Sequence, residues 1–287
     1  MRNFYYVHTG HRIGLDRFRR ACAIISSLGD FDITLLCSDF RIANEARHYG
    51  VKKAVGIDDV RNIPKIANRG DNLIYDSDEA NPIMLEDMRG YFNKFIRVSD
   101  RVDDVKAPNE FLISPYLSGD GICNAIAVDE SFFGEFKKSN SVGFFYGDDD
   151  YEKDLEKNFE CFESLDPAFG LGFYYFLDYE DMLKERFKNH YEFDEYGDFI
   201  KSCETLISSS PQAVLECLAS GGRAIYLQRE DYRDDFVPFF EKIGVDIVKE
   251  CQKSSIERAL ESAKGKKLQK TVKNSNKMVT FIKDILD

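Results

Sequence analysis

No apolar run in this chain leads into a G-x-G-x-x-G turn, which argues against an oxidoreductase built on the dinucleotide fingerprint. No segment approaches about 18 consecutive apolar residues, and the N-terminus lacks an apolar run long enough for a signal peptide. The sequence therefore predicts a soluble, cytoplasmic protein with no transmembrane segment. It also lacks a long basic block. The richest cluster, Lys264 to Lys273, lies near the C-terminus of a chain whose net charge is −12, so nucleic acid is not an expected partner. There is no C-x-x-C among the seven cysteines, whose odd number and scatter (22, 37, 123, 161, 203, 217, 251) read as buried thiols. That argues against a disulfide framework or a zinc site, and no metal or other cofactor is expected. Neither a repeat nor a low-complexity segment is visible.

What is present suits packed cores. Apolar residues make up 43% of the 287, and aromatic residues 14%. This length predicts two domains of about 140 residues each. Short apolar runs predict strands at Asn3–His8, Asp32–Cys37, Lys53–Ile57, Asn72–Tyr75, Lys94–Val98, Glu110–Ile113 and Ile122–Ala127. Helical patterns lie between them near 16–28, 40–49, 59–69 and 82–91. The alternation predicts a mostly parallel, doubly wound sheet over residues 1–130. The polar segment Val128–Ser141 breaks the rhythm, placing a linker at 131–141. A second alternation fills 142–287, with strands at Val142–Tyr146, Gly172–Leu177, Thr205–Ser208, Arg223–Leu227 and Asp246–Val248. Its helices are expected near 150–164, 178–188, 210–219, 232–242 and 253–263, with a terminal helix over 266–286. The aromatic run Phe173–Phe176, with Tyr179, reads as sheet core.

Two segments carry chemistry. The first, YYVHTGHRIGLDRFRRACAI from Tyr5 to Ile24, reads as strand, loop and helix. Phe18, Cys22 and Ile25 share one face of that helix. The loop holds His8, His11 and Arg12 around Gly10 and Gly14, and Arg17 follows at the helix start. Glycines admit close backbone approach and a helix N-terminus favours negative charge, so an anion site is one reading and a structural turn the other. The second segment is TLISSSPQAVLECLASGGRAIYL, Thr205 to Leu227. An apolar strand runs into three serines, and Pro211 falls at the first helical turn with Ser209 or Ser210 as N-cap. Gly221 and Gly222 end the helix before the next strand. Its free N–H groups suit a diphosphate without a P-loop lysine, and Gln212 and Glu216 lie on the same helix.

This combination resembles the GT-B architecture of nucleotide-sugar enzymes. It is most similar to the UDP-sugar hydrolase of the pseudaminic acid pathway and, more distantly, to the glycosyltransferase that makes lipid II. The resemblance rests on Ser209, Ser210, Glu216, Ala219, Gly221 and the strand Ala224–Leu227. It implies two Rossmann-type domains facing across a cleft. In those families the serine-rich turn and helix hold the nucleotide, which would put the diphosphate at Ser209 and Ser210 and the ribose at Glu216. The hydrolase pattern Gly-His-x-x-Arg, matched through Ile13-Gly14, puts Asp16 at the Gly position, Arg17 at the His position and Arg20 at the Arg position. A second register pairs Gly-His with Gly10-His11 and leaves Gly14 where Arg is expected.

An arginine stays protonated at neutral pH and cannot serve as the base, but it can hold a phosphate. His11 or His8 then becomes the titrating group, with Asp76 beyond the strand Leu73–Tyr75 as an orienting carboxylate. Where the families place a glycine-rich turn after the first strand of the second domain, this chain has Gly147 and then Asp148, Asp149 and Asp150. Those carboxylates read first as helix-capping residues. Two functions follow. One is an enzyme, hydrolase or glycosyltransferase, acting on a nucleotide-activated sugar in bacterial surface-glycan synthesis. The other is a catalytically degenerate binding or regulatory protein, for which protein partners remain open.

Overall fold

The computed structural model describes residues 1–162, 165–174, 177–265 and 275–286. The chain forms two compact units. The first is built from β1 (Asn3–Val7), α1 (Asp16–Ser27), β2 (Ile33–Cys37), α2 (Phe40–Glu45), β3 (Ala54–Gly56), β4 (Asn72–Asp76), α3 (Pro82–Tyr91), β5 (Lys94–Val98), β6 (Phe111–Ser114) and β7 (Ile122–Asn124). These strands pair in the order β3-β2-β1-β4-β5-β6-β7, all parallel. Consecutive residues of β1, Phe4 to Val7, are all buried although they alternate between faces, so both faces of this sheet are covered. Leu73, Tyr75, Phe95 and Tyr6 fill one core cluster with Ile63, Leu85 and Phe92. Phe18, Cys22 and Ile25 are the buried face of α1, as their spacing predicts. The helix expected over 59–69 is instead a 3₁₀ turn, Val60–Lys65. Pro64 within it has no amide hydrogen to continue an α-helix.

The second unit begins at Ser131 and holds β8 (Asn140–Phe145), α4 (Asp154–Lys157), β9 (Ala168–Gly170), α5 (Leu177–Arg186), β10 (His190–Tyr191), α6 (Tyr196–Ser202), β11 (Cys203–Ser208), α7 (Pro211–Ala219), β12 (Arg223–Leu227), α8 (Val237–Ile243), β13 (Asp246–Val248) and α9 (Lys253–Gly265). The strand order is β10-β9-β8-β11-β12-β13, again parallel throughout. The core is aromatic: Phe144 stacks on Phe162 at 3.9 Å and Phe169 on Phe187 at 4.3 Å. A short segment from earlier in the chain, His11–Asp16, also belongs to this unit, so the first residue of α1 goes with it while α1 from Arg17 on lies in the first unit.

Three expectations change here. The strand placed at Gly172–Leu177 lies earlier, at Ala168–Gly170, and α5 already begins at Leu177. Small residues let the strand lie close to its neighbours: a Cβ on Gly170 would stand 2.7 Å from the Phe199 ring. Phe173 and Tyr174 consequently sit in the loop beyond β9, half-buried, while residues 175 and 176 of that aromatic run lie outside the described residues. The helix expected over 150–164 is reduced to α4 and a 3₁₀ turn, Phe159–Cys161, with 163 and 164 outside the described residues. The terminal helix α10 (Ser275–Leu286), expected with the second domain, packs in the first unit. Its Met278, Ile282, Ile285 and Leu286 are buried, and Phe281 meets Phe111 of β6 edge-on at 6.3 Å. Residues 266–274 of that expected helix, and with them most of the Lys264–Lys273 cluster, lie outside the described residues. No helix among the described residues is long and apolar enough to cross a membrane.

Candidate functional site

Each sheet has one point where the chain, having built outward on one side, returns to build on the other. In the first unit this point lies between β1 and β4, and in the second between β8 and β11. Ligands of open α/β sheets bind beyond the carboxyl ends of such strands.

In the first unit this end gathers His8, Arg17, Arg20, Asp76, Asp78 and Asp100. Asp76, expected to orient a base or sugar, is 0% exposed. Arg20 grips it through Nε and Nη2 at 2.9 and 2.6 Å, and Tyr5 donates its hydroxyl at 2.9 Å. Burial pushes the Asp76 carboxyl up, and Arg20 offsets part of that. Arg20 also bonds Asp100. Arg20 and Asp76 are therefore paired with one another inside the fold.

The polar pair at the surface is different. His8 Nδ1 lies 2.5 Å from Asp78 Oδ1, and Arg17 Nη2 lies 3.6 Å from Asp78 Oδ2. Burial works to raise the Asp78 carboxyl, but the His8 hydrogen bond and the Arg17 charge outweigh it and hold it at about 2. An ionised carboxylate only accepts, so Nδ1 carries the hydrogen and a neutral His8 keeps its Nε2 lone pair. Asp78 thus orients His8 as a proton acceptor. Sequence spacing could not pair two residues 70 positions apart, although both flank the ends of apolar runs.

In the second unit the carboxyl ends of β8 and β11 carry the aspartates and the serines. Gly147 has φ +126°, and its carbonyl accepts from the Tyr174 hydroxyl at 2.9 Å. A Cβ there would meet Asp149 Oδ1 at 2.9 Å, so the turn requires glycine. The three aspartates have separate duties. Asp148 accepts from the Phe173 N–H at 3.0 Å. Asp150 caps the amides of Asp154 and Leu155 at 2.7 and 3.2 Å, in keeping with the capping role read from sequence. Asp149 meets Arg229 Nη1 at 3.0 Å and the Tyr232 hydroxyl at 2.7 Å. Burial pushes Asp149 up to about 6, against the pull of Arg229 and Tyr232 and with help from Asp16 and Asp148. Among the described residues no group of three or more His, Cys, Asp or Glu side chains is arranged to hold a metal ion. Arg229 and Tyr232, in the loop after β12, are built into this end: the Arg229 guanidinium lies 4.3 Å from the Tyr232 ring centre.

Ser210 is the N-cap of α7, accepting from the Ala213 N–H at 3.0 Å, with Pro211 in the first turn as expected. Ser209 Oγ is fully buried and has no hydrogen-bond partner. The Ser210 hydroxyl donates to Asp16 Oδ1 at 2.5 Å, and the Gln212 N–H donates to Asp16 Oδ2 at 3.2 Å. A carboxylate thus already occupies the helix start where a diphosphate was expected. Gly14, at φ +85°, carries the segment past Asp149, from which a Cβ would stand 3.7 Å. His11 lies against Tyr151 with ring centres 5.5 Å apart, and the exposed Arg12 covers the same ring at 3.8 Å. Glu216, expected at a ribose, is 2% exposed. Its oxygens accept from Tyr196 Oη at 2.6 Å and Gln212 Nε2 at 2.9 Å. It braces α7 from inside. The structure therefore gathers Gly14, Gly147, Ser209, Ser210, Gln212 and Glu216 in the second unit with His11, while Arg17, Arg20 and Asp76 belong to the first.

No family model and no curated protein matches the chain. Solved structures do. UDP-GlcNAc 2-epimerase of Methanocaldococcus jannaschii, in complex with UDP-GlcNAc and UDP, is similar over 99% of both chains at 14% identity and a TM-score of 0.60. MnaA of S. aureus bound to UDP is similar over 100% of this chain and 97% of its own, at 9% identity and a TM-score of 0.62. The spinosyn rhamnosyltransferase SpnG, complexed with spinosyn aglycone, is similar over 99% and 97%, at 11% identity and a TM-score of 0.57. These likenesses span the whole chain and show its fold: GT-B, with two parallel-sheet α/β units.

Proposed function

We propose that the second unit binds the nucleoside diphosphate of a nucleotide-activated sugar at the start of α7. One observation carries this reading: Ser210 Oγ and the Gln212 N–H already hold an anionic group there, next to the unpartnered Ser209 hydroxyl. Backbone N–H donors and the helix dipole favour phosphate at such an end. Arg12 is an exposed cation of the neighbouring segment. UDP in the epimerase and MnaA structures of the same fold supports the ligand class. Within the first unit, the His8–Asp78 pair is suited to proton transfer, with His8 accepting through Nε2 and Asp78 fixing its tautomer. The reaction would take place at the anomeric carbon, with water or an acceptor hydroxyl as nucleophile and the nucleoside diphosphate as leaving group. The resemblance of Thr205–Leu227 to the hydrolase and lipid II enzymes supports a place in bacterial surface-glycan synthesis.

A panel of UDP-, CMP- and GDP-sugars, scored together for thermal stabilisation and nucleotide release, tests the assignment. Stabilisation by one donor, weakened at least tenfold in Ser209→Ala/Ser210→Ala, is expected (about 1.4 kcal/mol). No stabilisation by any of them would sink it. One observation favours a second reading. In the register through Ile13-Gly14, Arg17 takes the place of the histidine of the resembled hydrolases, and its pairing with Asp78 suits a protein that binds the nucleotide without hydrolysing it. Stabilisation without release in the same panel identifies that case.

A further inference from the structure

The anion at the start of α7 comes from the chain itself, and the match is incomplete. Ser210 alone satisfies the N-cap role, since its Oγ accepts from the Ala213 N–H. Asp16 adds a second layer, with one oxygen on the Ser210 hydroxyl and the other on the Gln212 N–H. Both carboxylate oxygens are engaged, yet the neighbouring Ser209 hydroxyl is fully buried with no partner. A phosphoryl group brings a further acceptor oxygen, which a carboxylate lacks. Asp16 also stands close enough to Asp149 for the two charges to oppose each other. Its segment, His11–Asp16, is short and turns through Gly14 at φ +85°.

We propose that Asp16 is an internal stand-in for the ligand's phosphate, which holds the start of α7 in its binding arrangement and is displaced when a diphosphate enters. The ligand class rests on the nucleotide reading above. The displaced carboxylate does not, because inorganic pyrophosphate presents the same oxygens without a nucleoside. Asp16 then lowers affinity for every phosphate ligand, since each must expel a like charge from the same donors. Its removal strengthens binding, whereas loss of an ordinary binding residue weakens it.

Calorimetric titration of inorganic pyrophosphate and of UDP into the full chain, as wild type, Asp16→Asn and Asp16→Ala at one pH and ionic strength, tests this. Pyrophosphate affinity about tenfold higher in both variants is expected, the scale of one charge at a helix end. Equal or weaker binding by the folded variants, or no binding by any form, overturns the proposal. Asp16→Asn is nearly isosteric and decides the matter if Asp16→Ala does not fold. Hydrogen exchange on the wild type gives a check that needs no variant. Saturating pyrophosphate should speed exchange in residues 11–16 and slow it at the start of α7, and unchanged exchange in 11–16 refutes displacement. Tighter pyrophosphate binding with no added affinity for UDP would keep the displaced carboxylate and overturn the nucleotide reading instead.

Discussion

Asp149 is held between opposing forces, and their balance can be read in stability. Arg229 at 3.0 Å and the Tyr232 hydroxyl at 2.7 Å favour the ionised carboxylate. Burial opposes them, as do Asp16 and Asp148, and burial wins: the group titrates at about 6 in the folded chain. An unfolded aspartate titrates near 3.9, so the difference is about 2 units, or about 3 kcal/mol at 1.36 kcal/mol per unit. The folded state binds this proton more tightly than the unfolded one. The contribution therefore favours folding fully below about pH 4 and is lost as pH rises through about 6. Asparagine cannot titrate, so Asp149→Asn removes the dependence. Urea unfolding of both proteins from pH 4 to 8, read by hydrogen exchange at β8 and β11, isolates the second unit. The stability of wild type relative to Asp149→Asn should fall by about 2 kcal/mol between pH 4 and 7 and then level off. A difference that is flat across this range, or that grows with pH, would mean that Arg229 outweighs burial and that the electrostatic account of this site is wrong.

Other substitutions separate binding from bracing. His8→Gln and Asp78→Asn should each lower turnover by about 10²-fold or more with thermal stability nearly unchanged, as expected for loss of a general base or its orienting partner; wild-type rates in either variant would remove the pair from the reaction. Arg20→Ala leaves the Asp76 carboxylate buried without its guanidinium and should destabilise the first unit by about 3–5 kcal/mol, measured by urea unfolding. Glu216→Ala strips partners from Tyr196 and Gln212 and should cost about 1–3 kcal/mol of stability; a folded, equally stable variant that has lost only UDP affinity would restore a ribose role. Gly14→Ala forces a side chain into a left-handed conformation at φ +85° and should lower stability by about 1–2 kcal/mol in the same assay.

The sheet of the first unit is legible because its strands are short apolar runs separated by helical patterns, and each of them emerges within a few residues of its expected place. Periodicity fails where packing decides. The strand β9 is Ala-Phe-Gly, weak by propensity, and exists because Gly170 admits the Phe199 ring, while the aromatic run beside it looks more strand-like and is not. The spacing of α10 marks an apolar face, but nothing in a helix face names the unit that receives it. The site divides in the same way. Ser210, Pro211 and the end of α7 follow from local capping rules. The His8–Asp78 pair and the Asp16–Ser210 contact join residues 70 and 194 positions apart, a relation that no local pattern encodes. A charged residue on a short helix suggests a ligand, and local pattern does not show that Glu216 also accepts from Tyr196 and Gln212.

Binding of a nucleoside diphosphate at the start of α7 can be read by hydrogen-exchange mass spectrometry of the full chain with and without saturating UDP. Protection concentrated in residues 206–216, absent in Ser209→Ala/Ser210→Ala, is expected. Protection confined to any other part of the chain, or none at ligand concentrations in the millimolar range, would contradict it.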